Sequence, residues 1–284
     1  MKINPVAFKL FGLEVRWYGI LIAIGAFLAI NVAEKMGKRY NYKDGLYNLF
    51  SSDLGIFVIL LGVIGARLYY VIFQWDYYWE NPGEILAIRN GGLAIYGGIL
   101  AGLLATYIFS RIKKIKFMTI LDCLAPAVPL AQAIGRWGNF INGEAHGGPT
   151  DLPWGIMVDG IKVHPTFLYE SLLDFFIFIL LYFFVSKRQK FEGQLFTLYL
   201  IIYGCGRFFI EAMRTDSLYF GPFRVSQLLS LILVVIGLII YFYNILSLKN
   251  KSVWLEWLVF IKINWFFNVY VLKFYSLTGC SAAR

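Results

Sequence analysis

Charge is scarce in this chain: Asp, Glu, Lys and Arg make up 15% of its 284 residues, too little to solvate the surface of a water-soluble domain of that size. Histidine and cysteine are scarcer still, at two and three. Two histidines without clustered thiols provide no spacing for a metal site, so no metal is expected. The cysteines Cys123, Cys205 and Cys280 lie too far apart in sequence to suggest a disulfide framework; Cys123 and Cys205 read as small apolar packing residues. What replaces the missing polar groups is apolar: 59% of residues are hydrophobic and 19% aromatic. Soluble globular and disordered classes are excluded, and a protein that crosses a membrane repeatedly remains.

Stretches of about 20 apolar residues, enough to cross the hydrocarbon layer of a bilayer, lie near 17–33, 54–74, 92–110, 118–134, 166–186, 194–213 and 224–246. The expected fold is an all-α polytopic membrane protein, with seven transmembrane helices in residues 1–247, an outer-face loop region at 135–165 and an apolar C-terminal extension over 248–284. Glu14 and Arg16 precede the first stretch and no small-residue cleavage pattern follows it, so it is expected to stay as a span. The fourth stretch is short, has Asp122 near its start and contains Pro126 and Pro129. Each proline removes a backbone N–H, so a kink or break is expected there.

Basic residues set the orientation. Lys35, Lys38, Arg39 and Lys43 follow the first span, Arg111, Lys113, Lys114 and Lys116 the third, Lys187, Arg188 and Lys190 the fifth, and Lys249 and Lys251 the seventh. The alternate connections carry fewer, which places the N-terminus outside and the end of the seventh span in the cytoplasm. The net charge of +9 then matches anionic inner-leaflet lipid, and no nucleic-acid partner is implied.

With that orientation Tyr18, Arg67, Tyr96, His164, Tyr169, Glu170, Arg207 and Glu211 all fall at outer-leaflet depth, which argues for one polar site opening outward. Its densest part is Gly135-Arg136-Trp137-Gly138-Asn139-Phe140-Ile141-Asn142-Gly143-Glu144. Arginine offers phosphate a permanent planar cation, the amides offer orientable donors and acceptors, and glycine lets a backbone approach a ligand. The plainer alternative makes Arg136 a snorkelling anchor and Asn139 and Asn142 turn caps.

Arg207 and Glu211 are one helical turn apart, with Tyr203 on the same stripe, so an ion pair is expected. Glu211 reads equally as a structural bridge or a substrate residue. Gly204 and Gly206 thin the helix for a headgroup or another backbone. A second glycine concentration, Asn90 to Gly102 with Gly97 and Gly98 after Tyr96, reads as helix packing or as part of the site.

These residues carry a resemblance. Gly135-Arg136-x-Gly138-Asn139-Phe140-Ile141-Asn142-Gly143-Glu144, Arg16-Trp17-Tyr18-Gly19, His164-Pro165-x-x-x-Tyr169-Glu170 and Tyr203-Gly204-x-x-Arg207-x-x-x-Glu211 resemble, in order and over residues 5–247, the blocks of phosphatidylglycerol:prolipoprotein diacylglyceryl transferases. The resemblance implies an enzyme of bacterial lipoprotein maturation at the outer face of the cytoplasmic membrane, with no cofactor. A lipobox cysteine of a prolipoprotein attacks the glyceryl carbon of phosphatidylglycerol, forms a thioether and releases glycerol 1-phosphate. By the family pattern Arg136 binds the headgroup, Asn139 and Glu144 shape its glycerol pocket, Gly147 lies in the following loop, Tyr18 lines the site and Glu211 orients Arg207. Arg136, Arg207, Tyr96 and Glu144 are the expected catalytic set, while Asn142, Gly97, Gly98 and Tyr203 join the substrate-binding residues.

Many family members have histidine where this chain has Tyr96. A neutral phenol is a weak base at neutral pH, so Tyr96 is expected to hold a phosphate oxygen or the thiol by hydrogen bond, and the base stays unassigned. His146 reads as a solvated loop residue and His164 as a structural hydrogen-bonding residue. Leu277-Thr278-Gly279-Cys280 matches a lipobox at the end of an apolar stretch over 253–277. Lys262, Asn264, Asn268 and Lys273 oppose its crossing the membrane, which favours an interfacial helix or an incidental extension over a tethered substrate. Outside this family, a small membrane protein that binds or transports an anionic lipid would use similar outward-facing arginines.

Overall fold

The computed structural model describes residues 3–40, 53–88 and 91–249. Lys43, Asn90, Lys251 and the whole 253–277 stretch, with Lys262, Asn264, Asn268, Lys273 and the lipobox-like Cys280, lie outside the described residues. By internal packing the chain forms two compact units, residues 1–237 and 238–284. In the second, the described residues are helical, and the Asn244 side chain donates to the Ile240 carbonyl at 2.8 Å.

Among the described residues, seven helices are long and apolar enough to cross a membrane. They are α1 (Trp17–Arg39), α2 (Gly55–Phe73), α4 (Ile95–Ile112), α5 (Phe117–Asn142), α6 (Thr166–Ile179, continued by a π-turn and a 3-10 turn to Lys187), α7 (Gln194–Met213) and α8 (Val225–Lys249). The short α3 (Trp75–Glu80) follows α2. Side chains such as Phe27, Ile72, Ile95 and Phe209 point away from the protein, as expected where lipid replaces water as solvent.

The all-α membrane architecture is as expected; beside the helices, the described residues form three small two-stranded hairpins: β1 (Val6–Leu10) with β2 (Leu13–Arg16), β3 (Ile156–Val158) with β4 (Ile161–Val163), and β5 (Tyr219–Phe220) with β6 (Phe223–Arg224). They join the starts of α1, α6 and α8 and the ends of α5 and α7, so alternating spans put all three at the same end. Asp159-Gly160, both at positive φ, form the turn of the β3–β4 hairpin, a sequence signal that short strands in a helical chain conceal.

The fourth span is not broken at its prolines: α5 runs as one helix through Pro126 and Pro129. It packs against α1, α6 and α7 and buries much of its surface, and this packing supports the helix where the prolines cannot donate. The helix also extends through the signature to Asn142. There Gly143 adopts φ 73°, the Gly143 N–H donates to Phe140 at 3.1 Å and the Glu144 N–H to Asn139 at 3.0 Å, a Schellman cap that only an αL residue permits.

The two ends of the bundle differ. Met36, Leu54, Phe109, Ile120, Ile177, Leu181 and Leu195 form a continuous apolar core from the end of α1, α4 and α6 and the start of α2, α5 and α7. Cys123 joins this core, as expected, whereas Cys205 is exposed. Beside the core Asp122 accepts from the Gly193 N–H at 2.5 Å, the Phe196 N–H at 3.0 Å and the Gln189 side chain at 2.6 Å. It thereby satisfies donors at the start of α7 that the helix itself cannot. The opposite end holds a cluster of buried arginines and glutamates.

Candidate functional site

Glu170, in the first turns of α6 and 3% exposed, holds arginines from two directions. Its Oε2 lies 2.5 Å from Arg136 Nε on α5, and its Oε1 contacts Arg207 Nη1 on α7 and Arg214 Nη1, at 3.3 Å, just beyond α7. Arg207 Nη2 reaches Glu211 Oε2 at 2.7 Å across one helical turn, the ion pair expected from spacing. Glu170 Oε2 and Glu211 Oε2 are held by charge without aligned hydrogen bonds.

Arg214 also grips Asp216 through two bonds, Nε to Oδ1 at 2.9 Å and Nη2 to Oδ2 at 2.7 Å. The hydrogen bond from Arg214 lowers the Asp216 pKa below the usual carboxylate range, against a smaller opposing effect of burial.

Three arginines, Arg136, Arg207 and Arg214, meet three carboxylates, Glu170, Glu211 and Asp216, so the cations are paired and fixed in place before any ligand arrives. A phosphodiester carries one negative charge and accepts the bidentate fork of arginine well. Tyr96, in the first turn of α4, lies within the electrostatic field of both Arg207 and Tyr203, and Tyr203 stacks on Tyr199 with ring centroids 5.4 Å apart. Arg136, Arg207, Tyr96, Tyr203 and Glu211 are therefore brought together.

Other expected site residues stand elsewhere. At about 100° per residue, Asn139 is turned about 60° from Arg136 around α5, and Asn142 about 120° away. Asn142 donates to Glu144 at 2.7 Å, and both line an outer groove of about 770 Å³ with Pro5, His146, Ile156 and Asp159. Among the described residues no arginine lies within ion-pair distance of Glu144, so Glu144 sits in the groove and apart from the arginine cluster.

Tyr18, at the start of α1, covers Gly138: a Cβ there would overlap the tyrosine ring. The Gly147 N–H donates to the His164 carbonyl at 2.8 Å, and a Cβ at Gly147 would come within 2.8 Å of the Met213 carbonyl. Its glycine keeps the loop pressed between α6 and α7.

Several small or charged residues turn out to pack helices. A Cβ at Gly97 would overlap Tyr69 and the Gly65 carbonyl, and one at Gly98 would stand 3.5 Å from the Gly62 carbonyl, so both glycines lie where α2 packs on α4. Gly204 faces Ser230 and Gly206 faces Leu173; another helix, and no headgroup, fills the space they leave. Arg67, expected at the site by depth alone, donates to the carbonyls of Glu84 (2.6 Å), Ile85 (2.8 Å), Gly91 (2.9 Å) and Gly92 (2.9 Å). It anchors the loop before α4. His164 Nδ1 lies 3.3 Å from the Tyr169 hydroxyl, in keeping with a structural role. His146 is half-buried and less solvated than expected.

Sequence reasoning missed Arg214, because it stands outside the apolar stretch, and placed Glu170 at the right depth without its central part. The signal for Glu170 was present: a carboxylate in a span without a cation on its own helix must find one on another.

A family model described as prolipoprotein diacylglyceryl transferase matches residues 5–243. The chain is 53% identical over 237 residues to the phosphatidylglycerol–prolipoprotein diacylglyceryl transferase of Finegoldia magna, which covers 84% of this chain and 94% of the relative. It is 54% identical over 250 residues to that of Clostridioides difficile (88% and 98%) and 46% identical over 261 residues to that of Clostridium novyi (88% and 98%).

Proposed function

Because the chain belongs to the prolipoprotein diacylglyceryl transferase family, we propose that it moves the diacylglyceryl group of phosphatidylglycerol onto the lipobox cysteine of prolipoproteins at the outer face of the cytoplasmic membrane. The observation that carries this reading is the gathering of Arg136, Arg207 and Arg214 on Glu170 at one end of a membrane-spanning bundle.

The phosphate of phosphatidylglycerol binds Arg136 and Arg207, displacing part of their contact with Glu170. Glu211 keeps Arg207 aimed while the exchange occurs. A cysteine sulfur attacks the glyceryl carbon, the carbon–oxygen bond to phosphate breaks, and the electron pair leaves with glycerol 1-phosphate. Charge accumulates on the departing phosphate, so cations fixed beforehand stabilise the transition state more than the bound lipid. Tyr96 and Tyr203 donate to the phosphate or the thiol, and Tyr18 and Asn139 border the lipid. Asn142, Glu144 and Gly147 belong to the outer rim, where the peptide approaches.

The test is a transfer assay in detergent with labelled phosphatidylglycerol and a lipobox peptide. The peptide is expected to gain the mass of a diacylglyceryl group. Binding or movement of labelled lipid with no peptide adduct would instead support the lipid-binding or lipid-transporting alternative.

A further inference from the structure

The transfer needs a destination for the thiol proton, and the histidines do not provide one. His164 is engaged with Tyr169, and His146 belongs to the outer groove. Glu170 and Glu211 are occupied by arginines, and Asp122 by three N–H donors. Asp174 differs. It is 1% exposed, and neither of its oxygens has a hydrogen bond. Among the described residues it is the buried carboxylate with neither a hydrogen bond nor an ion pair. An empty acceptor of this kind is costly in a bilayer unless something uses it.

Its position is systematic. Asp174 lies one turn after Glu170 on α6, Gln132 one turn before Arg136 on α5, and Tyr203 one turn before Arg207 on α7. The arginine–glutamate layer thus has a second polar layer directly beneath it. The Tyr199 hydroxyl donates to Gln132 at 3.0 Å and its ring stacks on Tyr203. Arg136 on α5 and Tyr199 and Tyr203 on α7 are the charged and titratable groups that interact electrostatically with Asp174, and Glu170 precedes it by one turn on its own helix.

We propose that Asp174 is the proton acceptor of the transfer reaction, taking up the proton of the attacking thiol. This rests on the transferase reading above. The arginines are already paired with Glu170, Glu211 and Asp216, so the buried Asp174 carboxylate has no cation of its own and gains by taking up a proton. Moving the thiol proton onto Asp174 neutralises that carboxylate and leaves a thiolate to attack. The S–H bond breaks, the S–C bond forms and the C–O bond to phosphate breaks. Glycerol phosphate leaves as a dianion and, with a second pKa of about 6, carries the proton away from Asp174 as it departs.

The experiment uses the full chain in detergent with phosphatidylglycerol and a lipobox peptide, and measures kcat/KM against pH together with phosphatidylglycerol binding. Absence of transfer by the unsubstituted protein would defeat the transferase reading itself. With transfer established, Asp174→Asn is expected to lose about a hundredfold in kcat/KM, within the range a proton acceptor supplies. It should still bind phosphatidylglycerol, and its remaining rate should climb with pH as thiolate forms in solution. The acidic limb of the pH profile should be absent from Asp174→Asn and shifted in Asp174→Glu. An unchanged acidic limb in either variant, or a loss of rate explained wholly by weakened lipid binding, overturns the proposal. Should Asp174→Asn not fold, the limb of Asp174→Glu decides alone.

Discussion

Glu170→Gln is the most searching change to the arginine cluster, because it keeps the side chain's shape and removes one charge. The three arginines would not lose equally. Arg207 retains Glu211 at 2.7 Å and Arg214 retains Asp216 at 2.7 Å, whereas Arg136 has Glu170 as its only ion-pair partner among the described residues. Breaking a buried pair from one side costs about 3–5 kcal/mol, and a charge-assisted hydrogen bond contributes about 1.5–3. With two arginines still paired, and Arg136 20% exposed at its side chain, the low end applies: about 3 kcal/mol, roughly a hundredfold if it all falls on the transition state. Thermal unfolding in detergent and the transfer rate would be measured for Glu170→Gln, Arg136→Lys and the double variant. If Glu170 acts by holding Arg136, the double variant should be little worse than the poorer single one, a coupling of about 1–3 kcal/mol. Independent, additive losses would refute the reasoning, as would a glutamine variant with unchanged rate and stability.

Arg136→Lys should insert normally yet lose most transfer activity, since a point charge replaces a planar fork; near-normal kinetics would reduce Arg136 to an anchor. Tyr96→Phe should slow transfer by roughly tenfold, the scale of one neutral hydrogen bond, whereas Tyr96→His should keep a good part of the rate; a fully active phenylalanine variant would show that the hydroxyl is idle. Gly138→Ala should displace Tyr18 and weaken phosphatidylglycerol binding, which a lipid titration measures. Asp216 has its pKa lowered by Arg214, so its contribution is complete above the unfolded value of about 3.9 and is lost as pH falls through the lower folded value. Protease cleavage within residues 214–224 should therefore rise at acid pH in the parent chain and lose that dependence in Asp216→Asn.

The spans and their order were legible because apolar length is a strong signal in membranes: the expected 194–213 is the α7 observed. Arg207 and Glu211 were readable from spacing on one helix. Glu170 and Asp174 were harder, since their roles depend on which faces of α5, α6 and α7 meet, and periodicity along one helix does not encode that. The same holds for Gly97 and Arg67, whose sequence context matched a site while their neighbours made them packing and loop anchors. The continuity of α5 was hidden for the opposite reason: proline is a local signal, and burial against three helices overrode it. The hairpins were missed because strands this short leave almost no pattern.

The division of charge among α5, α6 and α7 also bears on how the chain enters the bilayer. Arg207 carries its own counter-charge, Glu211, one turn along α7, so that helix can insert nearly neutral. Arg136 has no such companion on α5, and its partner Glu170 arrives only with the next span. Either helix alone would place an uncompensated ion within the bilayer. Inserted as one hairpin, they cancel each other. The joining residues 143–165 hold the α5 cap and the β3–β4 hairpin, and Thr166 donates to the Ala145 carbonyl at 2.6 Å, tying the start of α6 to the end of α5. The Arg136–Glu170 pair, proposed above to serve the chemistry, would thus also make α5 and α6 a single unit of insertion, and a chain that failed to form it would be marked by an unpaired arginine before it ever met a substrate.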